Sequence, residues 1–242
     1  MHGIQSAIYV PWMIGMTTGE AAFKAARYLD NDGELAAEIN DYSEILFPIT
    51  MQYLWDTKVK HLNYISRTIR TRYFGSGEIN ESTANEMTSM YSDGLFTLCT
   101  LNAIHSYPGP KYVYLYNYRG NYSMSVQNII ANCDQFLGVS HADEVNLFFQ
   151  REDTCDFLTN DDITFGDELI KRWINFANSS DPNLPMKINE TIMSAWEPMT
   201  SNKVEYIFLD WNGTMSTDMY KEEYMFWKSL PLGSKYYENG KS

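Results

Sequence analysis

The chain has 242 residues and a formal net charge of −13, with 44% hydrophobic and 20% charged residues. This length is ample for a sizeable core, and the composition excludes a disordered or collagen-like chain. An acidic surface disfavours nucleic acid and anionic membranes as partners, and no apolar run approaches the roughly 18 residues of a membrane helix. The three cysteines are too few for a disulfide scaffold.

The first half of the chain predicts one strand followed by helices. Residues 8–16 are apolar and rich in β-forming residues, so they predict a buried strand that ends at Gly15 to Gly19. Residues 21–29 predict a helix that is stopped by Asn31-Asp32-Gly33. Further helical segments are predicted at 34–39, 44–53, 61–73 and 82–103.

The second half predicts two more strands among helices. The strongest strand signal is 112–118, where tyrosines alternate with Val113, Leu115 and Asn117. The remaining predictions are a turn at 138–141, a helix at 142–149 with acidic residues in its first turn, an amphipathic helix at 164–178, a strand at 204–211 and a helix at 220–230. Helices between a few strands, with no repeat or linker, predict an α/β fold with a mostly parallel sheet.

Two side chains of catalytic type follow predicted strands. Glu20 comes just after the first strand, and His141 lies in a turn that follows the second. Functional groups gather at the carboxyl ends of strands in open α/β sheets. A carboxylate and an imidazole there can form two thirds of a nucleophilic triad. From position alone, a solvated loop carboxylate and a structural histidine are the commoner outcomes.

The sequences around these residues resemble those of type-B carboxylesterases, the family that includes the cholinesterases. Residues 11–21 are similar to the family's acid segment, and residues 138–149 to its histidine segment. Four further segments resemble family motifs in the family's order: Ser92-Asp93 with Phe96, Trp173 to Asn183, Trp196-Glu197-Pro198, and Phe226-Trp227. The resemblance covers residues 10–230 and is closest to insect carboxylesterases of the esterase-6, α-esterase and juvenile-hormone-esterase kind. It implies an α/β-hydrolase fold.

The resemblance also implies roles for individual residues. Glu20 would be the acid of a Ser-His-Glu triad, and His141 its general base and acid. Phe23, one helical turn beyond Glu20, resembles the aromatic residue that lines the substrate gorge, although core packing is an equally good interpretation. The implied substrate is a small-molecule ester, and no metal or organic cofactor is needed. Ala21 departs from the glycine that the family often has.

The family's nucleophile motif, G-x-S-x-G, does not occur in these residues. Ser76 has glycines at the wrong offsets, Ser140 lacks one of them, and the Gly-Gly oxyanion segment is also missing. We therefore expect residues 1–242 to be the C-terminal part of a carboxylesterase domain, marginally stable and inactive alone. Two alternatives are a non-catalytic, cholinesterase-like adhesion protein and a truncated, non-functional gene copy. The retained Glu20 and His141 favour an enzyme parent.

Cysteines and glycosylation sequons bear on the compartment. Cys133 and Cys155 flank the histidine segment and would brace it as a disulfide with Cys99 free; three reduced thiols are the alternative. The N-x-S/T sequons begin at Asn80, Asn121, Asn178, Asn189 and Asn212. They favour a secreted parent protein, although the first residues have no basic region or long apolar run of a signal peptide.

Overall fold

A computed structural model describes residues 9–29, 34–121, 137–149, 158–183 and 193–233. Within these ranges, four strands form one sheet in the order β1 (Trp12–Thr17), β2 (Lys111–Tyr116), β3 (Tyr206–Leu209) and β4 (Thr214–Ser216). The pairs β1–β2 and β2–β3 are parallel, whereas β3–β4 is antiparallel. The predicted α/β class with a mostly parallel sheet is confirmed.

The parallel strands end level with one another, which creates the edge where loops can meet. Thr17 is the register partner of Tyr116, and Tyr116 is the partner of Leu209. The chain leaves the sheet there through further backbone hydrogen bonds, from the Thr18 N–H to the Tyr116 carbonyl at 3.0 Å and from the Asn117 N–H to the Leu209 carbonyl at 2.8 Å. In the described residues, β1 has β2 as its only neighbour.

Helices cover the sheet. They are α1 (Ala22–Leu29), α2 (Glu34–Thr50), α3 (Val59–Phe74), α4 (Ala84–Ser92), α5 (Leu98–Ser106), α6 (Val145–Phe148), α7 (Asn160–Ser179) and α8 (Lys221–Ser229). The predicted helices at 21–29, 61–73, 164–178 and 220–230 correspond to α1, α3, α7 and α8. Among the described residues, none of these helices is long and apolar enough to cross a bilayer.

Two helical predictions differ from the structure in their continuity. The segments 34–39 and 44–50 lie in α2, which has a kink between them at Tyr42, where φ is −127°, and the helix ends three residues before the predicted end at 53. The predicted helix at 82–103 is instead α4 and α5 joined by a π-helical segment, Asp93–Thr97. The Trp227 ring packs against Gly94 so closely that a Cβ there would lie 2.6 Å from it, so only glycine admits this ring.

The prediction of a helix from 142 to 149 is wrong at its start. Ala142 has φ +67°, a left-handed conformation that interrupts a helix, and α6 begins only at Val145. The Asp143 carboxylate accepts a hydrogen bond from the Ser140 N–H at 2.7 Å. The acidic residues therefore shape the turn before the helix rather than complementing the dipole of its first turn. Strand β4 was not predicted.

The hydrophobic core of the described residues consists of three clusters of buried side chains. One cluster joins α1 to α4 and includes Ala25, Ile65 and Tyr91, none of which is exposed. A second, aromatic cluster lies between β2 and α7, where the Trp196 indole N–H donates to the Val113 carbonyl at 3.1 Å. These cores fix the loops that follow β1 and precede α6.

Candidate active site at the carboxyl end of the sheet

The turns that carry Glu20 and His141 are joined through their backbones. The Gly19 N–H donates to the Val139 carbonyl at 2.9 Å, and the His141 N–H donates to the Glu20 carbonyl at 3.2 Å. These bonds bring together two residues that are 121 positions apart in the sequence. The two turns therefore behave as one short, locally paired unit at the edge of the sheet.

Glycines allow the two turns to approach this closely. A Cβ on Gly19 would lie 2.9 Å from the Cα of Gly138, closer than real Cβ atoms come to backbone. Gly138 also has φ +106°, in the region that other residues rarely adopt. Both positions thus require glycine, and the position of His141 depends on them.

The Glu20 carboxylate uses both oxygens to orient its surroundings. Its Oε1 accepts a hydrogen bond from the Thr17 N–H at 2.7 Å, which fixes the carboxylate against the end of β1. Its Oε2 lies 2.7 Å from Nδ1 of His141. A carboxylate only accepts hydrogen bonds, so Nδ1 carries the proton in this contact and Nε2 is the other ring nitrogen. Glu20 is 5% exposed, whereas the His141 side chain is 57% exposed.

The surroundings favour the protonated imidazole. The hydrogen bond to Glu20 raises the pKa of His141 above 6.5, and the nearby carboxylates of Glu144 and Asp143 act in the same direction, against partial burial. Burial raises the pKa of Glu144 as well, with the Glu20 charge adding to the effect. Among the described residues, Oε2 of Glu144 is buried without a hydrogen-bond partner.

Side chains at the junction of α4 with the π-helical segment contact the turns that carry Glu20 and His141. The Ala21 N–H, directly after Glu20, donates to Oγ of the buried Ser92 at 2.9 Å. The Phe96 ring packs against the His141 imidazole with 5.1 Å between ring centroids. Ser92 therefore holds the start of α1, and Phe96 limits how far the imidazole can swing.

A cavity of about 350 Å³ adjoins this junction, with Thr17, Thr18, Ser92 and Asp93 among its lining residues. The Asp93 carboxylate accepts hydrogen bonds from Tyr73 at 2.7 Å and Thr97 at 3.2 Å. Because burial strips water from it, the pKa of Asp93 is raised to about 7. Among the described residues, no cluster of three or more His, Cys, Asp or Glu side chains is arranged to hold a metal ion.

The other predicted site residues are more scattered. Phe23 is half-buried on α1, outside the core cluster around that helix and outside the lining of the cavity. Asn80, Asn121, Asn178 and Asn212 are exposed. Cys99 is a free, exposed thiol. Cys133, Cys155 and Asn189 lie outside the described residues.

Sequence analysis missed several residues that build the site. Ser92 and Phe96 lie in a segment whose resemblance was noted, but no contact with Glu20 or His141 was foreseen. Gly19 and Gly138 lie close to the two functional residues. The available signal was a glycine one residue before Glu20 and a glycine three residues before His141. Glu144, whose Oε2 is buried, follows the histidine by three positions, where an acidic residue in the first turn of a helix was expected.

Chemically, this arrangement provides a basic imidazole whose tautomer is fixed by a carboxylate. Such a pair can take a proton at Nε2 from a nucleophile and stabilise the resulting imidazolium through Nδ1. The part of the chain that the structure describes shows no serine in contact with that nitrogen.

Comparison with known proteins assigns the chain to a protein family. The model of the carboxylesterase family matches residues 3–227. Venom carboxylesterase-6 of Apis mellifera is 24% identical over 92% of this chain and 40% of its own length. A carboxylic ester hydrolase of Bombus ignitus is 26% identical over 57% of this chain and 25% of its own length.

A solved structure agrees with these sequence relatives. Juvenile hormone esterase from Manduca sexta, determined with OTFP covalently attached, superimposes with a TM-score of 0.68 and 16% identity. The match covers 92% of this chain and 41% of that one, so the chain spans about two fifths of the length of these relatives. The fold is that of part of an α/β-hydrolase, and the chain belongs to the carboxylesterase family.

Proposed function

We propose that this chain supplies the acid and the general base of a carboxylic ester hydrolase that acts through a Ser-His-Glu triad. The observation that carries the proposal is the 2.7 Å contact between Oε2 of Glu20 and Nδ1 of His141 at the carboxyl end of the sheet. Membership of the carboxylesterase family supports the reaction class.

In this mechanism, Nε2 of His141 accepts the proton of a serine hydroxyl as its oxygen attacks the ester carbonyl. The imidazolium, stabilised by Glu20, then gives this proton to the leaving alcohol, and an acyl-enzyme remains. Water attacks the acyl-enzyme while His141 again accepts a proton, which returns to the serine when the acid is released. Two protons thus pass through the same nitrogen, one from the serine hydroxyl to the leaving alcohol and one from water back to the serine.

The nucleophile and the oxyanion donors are proposed to come from outside these 242 residues. None of the serines in the sequence lies in G-x-S-x-G. Without the serine and the donors, neither the tetrahedral intermediates nor the acyl-enzyme can form. We therefore propose that residues 1–242 act as the C-terminal part of a carboxylesterase domain and are inactive alone.

The exposed edge of β1 supports the same proposal. In the described residues β1 pairs on one side only, and an open edge of this kind invites pairing with another strand. We expect the isolated chain to be marginally stable and prone to aggregate. A soluble, monomeric and ester-cleaving preparation of these residues would contradict this part of the proposal.

We also propose that the parent protein is secreted. Asn80, Asn121, Asn178 and Asn212 all begin sequons and are exposed, as glycosylation requires. Treatment of the native protein with a peptide N-glycosidase should lower its apparent mass. An unchanged mass would contradict the proposal.

The experiment that tests the catalytic proposal begins with the full-length transcript from the native source. We expect an in-frame extension upstream of Met1 that encodes a Gly-Gly segment and G-x-S-x-G. The extended protein should hydrolyse p-nitrophenyl butyrate, and the 242-residue chain should not. A transcript that starts at Met1 would contradict the proposal and favour a non-catalytic or decayed copy.

Matched variants then assign the roles in the extended protein. Glu20→Gln should lower kcat by about 10⁴-fold, and His141→Gln should lower it at least as much. The controls are Glu38→Gln in α2 and His61→Gln in α3, which change the same residue types elsewhere. Equal activity of His141→Gln and His61→Gln would overturn the assignment.

A further inference from the structure

A second cavity lies apart from the Glu20–His141 pair. It has a volume of about 470 Å³, within the range of small-molecule sites, and its lining includes residues of α5 and α8. None of its lining residues also lines the cavity beside Asp93. The proposed ester hydrolysis gives this second cavity no role.

The floor of the cavity is apolar and well fixed. Leu101, Val204, Met219 and Tyr224 line it, and all four belong to one buried hydrophobic cluster. The Tyr224 hydroxyl donates to the Asn102 side chain at 2.9 Å, which holds the ring in place. Met225, which is 59% exposed, adds an adaptable apolar side chain at the rim.

The rim has the opposite charge to the protein as a whole. Three lysines line the cavity, Lys203, Lys221 and Lys228, against the single carboxylate of Asp218. The chain carries a net charge of −13, so a local excess of cations is unusual. His105 also lines the cavity, and burial together with the charges of Lys228 and Lys111 lowers its pKa.

The lysine ammonium groups are available to an incoming anion. Lys203 and Lys221 lie 4.0 Å and 3.3 Å from Asp218, and their side chains are 66% and 63% exposed. Exposed ion pairs of this kind contribute little, so either lysine can turn to another anion at small cost. Lys228 Nζ bonds to the Tyr224 hydroxyl at 3.1 Å. It pairs with no carboxylate among the described residues.

We propose that this cavity binds a free anionic amphiphile, with its carboxylate between the lysines and its aliphatic or aryl body on the apolar floor. An apolar concavity with a few convergent polar groups is the usual form of such a site. A concave pocket suits a single molecule, whereas an anionic membrane surface would be repelled by the acidic remainder of the protein.

The test is calorimetric titration of the purified extended protein with decanoate, decanol and decyltrimethylammonium, each below its aggregation concentration. We expect one saturable site for decanoate, weaker binding of decanol and the weakest binding of the cation. The decanoate affinity should fall as salt rises, because the lysine–carboxylate attraction is screened. Equal affinity for the three probes, or no binding of decanoate, would overturn the proposal.

Variants separate the rim from the floor. The double variant Lys203→Gln/Lys228→Gln should weaken decanoate binding about tenfold or more and abolish the preference over decanol. Met225→Glu should weaken decanoate binding similarly, and Met225→Leu should leave it unchanged. The double variant Lys60→Gln/Lys171→Gln, at exposed positions on α3 and α7 outside the cavity, is the charge-matched control and should have no effect. Unchanged binding in the double variant, or binding only to phosphatidylglycerol vesicles, would contradict the proposal.

Discussion

Two of the short ion pairs among the described residues differ in almost every respect except their length. Glu20 lies 2.7 Å from His141 in turns at the sheet edge, and Glu168 lies 3.0 Å from Arg172 within α7. Both carboxylates are buried. The cationic side chains differ sharply, since that of His141 is 57% exposed and that of Arg172 only 2%.

The difference shows how the same contact can serve chemistry or structure. The other guanidinium N–H groups of Arg172 donate hydrogen bonds to the Asn183 side chain and to the carbonyls of Met193 and Ser194. It therefore ties the end of α7 to the chain before β3. His141 uses one ring nitrogen on Glu20 and presents an exposed imidazole to the site. An ion pair whose remaining donors are all hydrogen-bonded stabilises the fold, whereas a pair with an exposed imidazole can transfer a proton.

The largest expected effect comes from breaking the structural pair. Arg172→Met should lower the free energy of unfolding by roughly 3–5 kcal/mol, because it leaves the Glu168 carboxylate buried without a cation. Urea denaturation of the purified protein measures this change. The double variant Arg172→Met/Glu168→Leu should recover much of the loss. A loss below about 1 kcal/mol for the single variant would contradict the structural role.

Asp93 is a third buried carboxylate to compare with Glu20 and Glu168. It accepts hydrogen bonds from hydroxyl groups instead of pairing with a cation. The folded protein holds its proton up to about pH 7, whereas the unfolded chain releases it near pH 3.8. Folding stability should therefore fall as pH rises between these values, by at most about 4 kcal/mol.

Asp93→Asn should remove that pH dependence, since the amide does not titrate. The urea midpoint should fall less between pH 5 and pH 8 in this variant than in the wild type. Glu38→Gln, an exposed carboxylate on α2, is the control and should leave the wild-type difference intact. A wild-type midpoint that is the same at both pH values would refute the raised pKa of Asp93.

The close contact between the turns that carry Glu20 and His141 can be disrupted by a separate substitution. Gly19→Ala places a Cβ 2.9 Å from the Gly138 backbone, so the turns must move apart. We expect a loss of about 1–3 kcal/mol in stability and a lower pKa of His141 as Glu20 recedes. Gly77→Ala, whose nearest contact would be 3.2 Å, is the milder control. An unchanged His141 pKa in Gly19→Ala would contradict the coupling of the turns.

The smallest expected effect on stability comes from breaking the Glu20–His141 pair. His141→Gln should cost about 1 kcal/mol or less, because water can reach Glu20 when the exposed imidazole is removed. The pair's contribution should be fully present below pH 6.5 and lost as pH rises through the raised folded-state pKa of His141. A loss of 3 kcal/mol in urea denaturation would show that this pair, too, is structural.

Local sequence predicted the elements that depend on local pattern. The apolar stripe of α7, the tyrosine-rich β2 and the helix after Glu20 each carry a periodicity that fixes their type. The pairing of Glu20 with His141 was expected from the family resemblance of their segments, and their places after two strands agreed with it. Even the resemblance around Asn183 and Trp196 has a structural basis, because the Asn183 side chain bonds both backbone groups of Trp196.

Other features depend on tertiary contacts that no local pattern encodes. The left-handed Ala142 and the late start of α6 follow from the pairing of the two site turns, not from helix propensity. The spacing of Glu168 and Arg172 predicts an ordinary exposed helix pair, and only the packing of α7 makes it buried. The π-helical segment likewise requires the Trp227 ring on Gly94.

The most direct test of the Glu20–His141 assignment is an NMR titration of His141 in the wild-type protein and in Glu20→Gln. We expect a His141 pKa above 6.5 in the wild type, because the carboxylate stabilises the imidazolium. We expect this pKa to fall clearly in the variant. A His141 that titrates at the same pH in both proteins would contradict the claim that Glu20 tunes and holds the base.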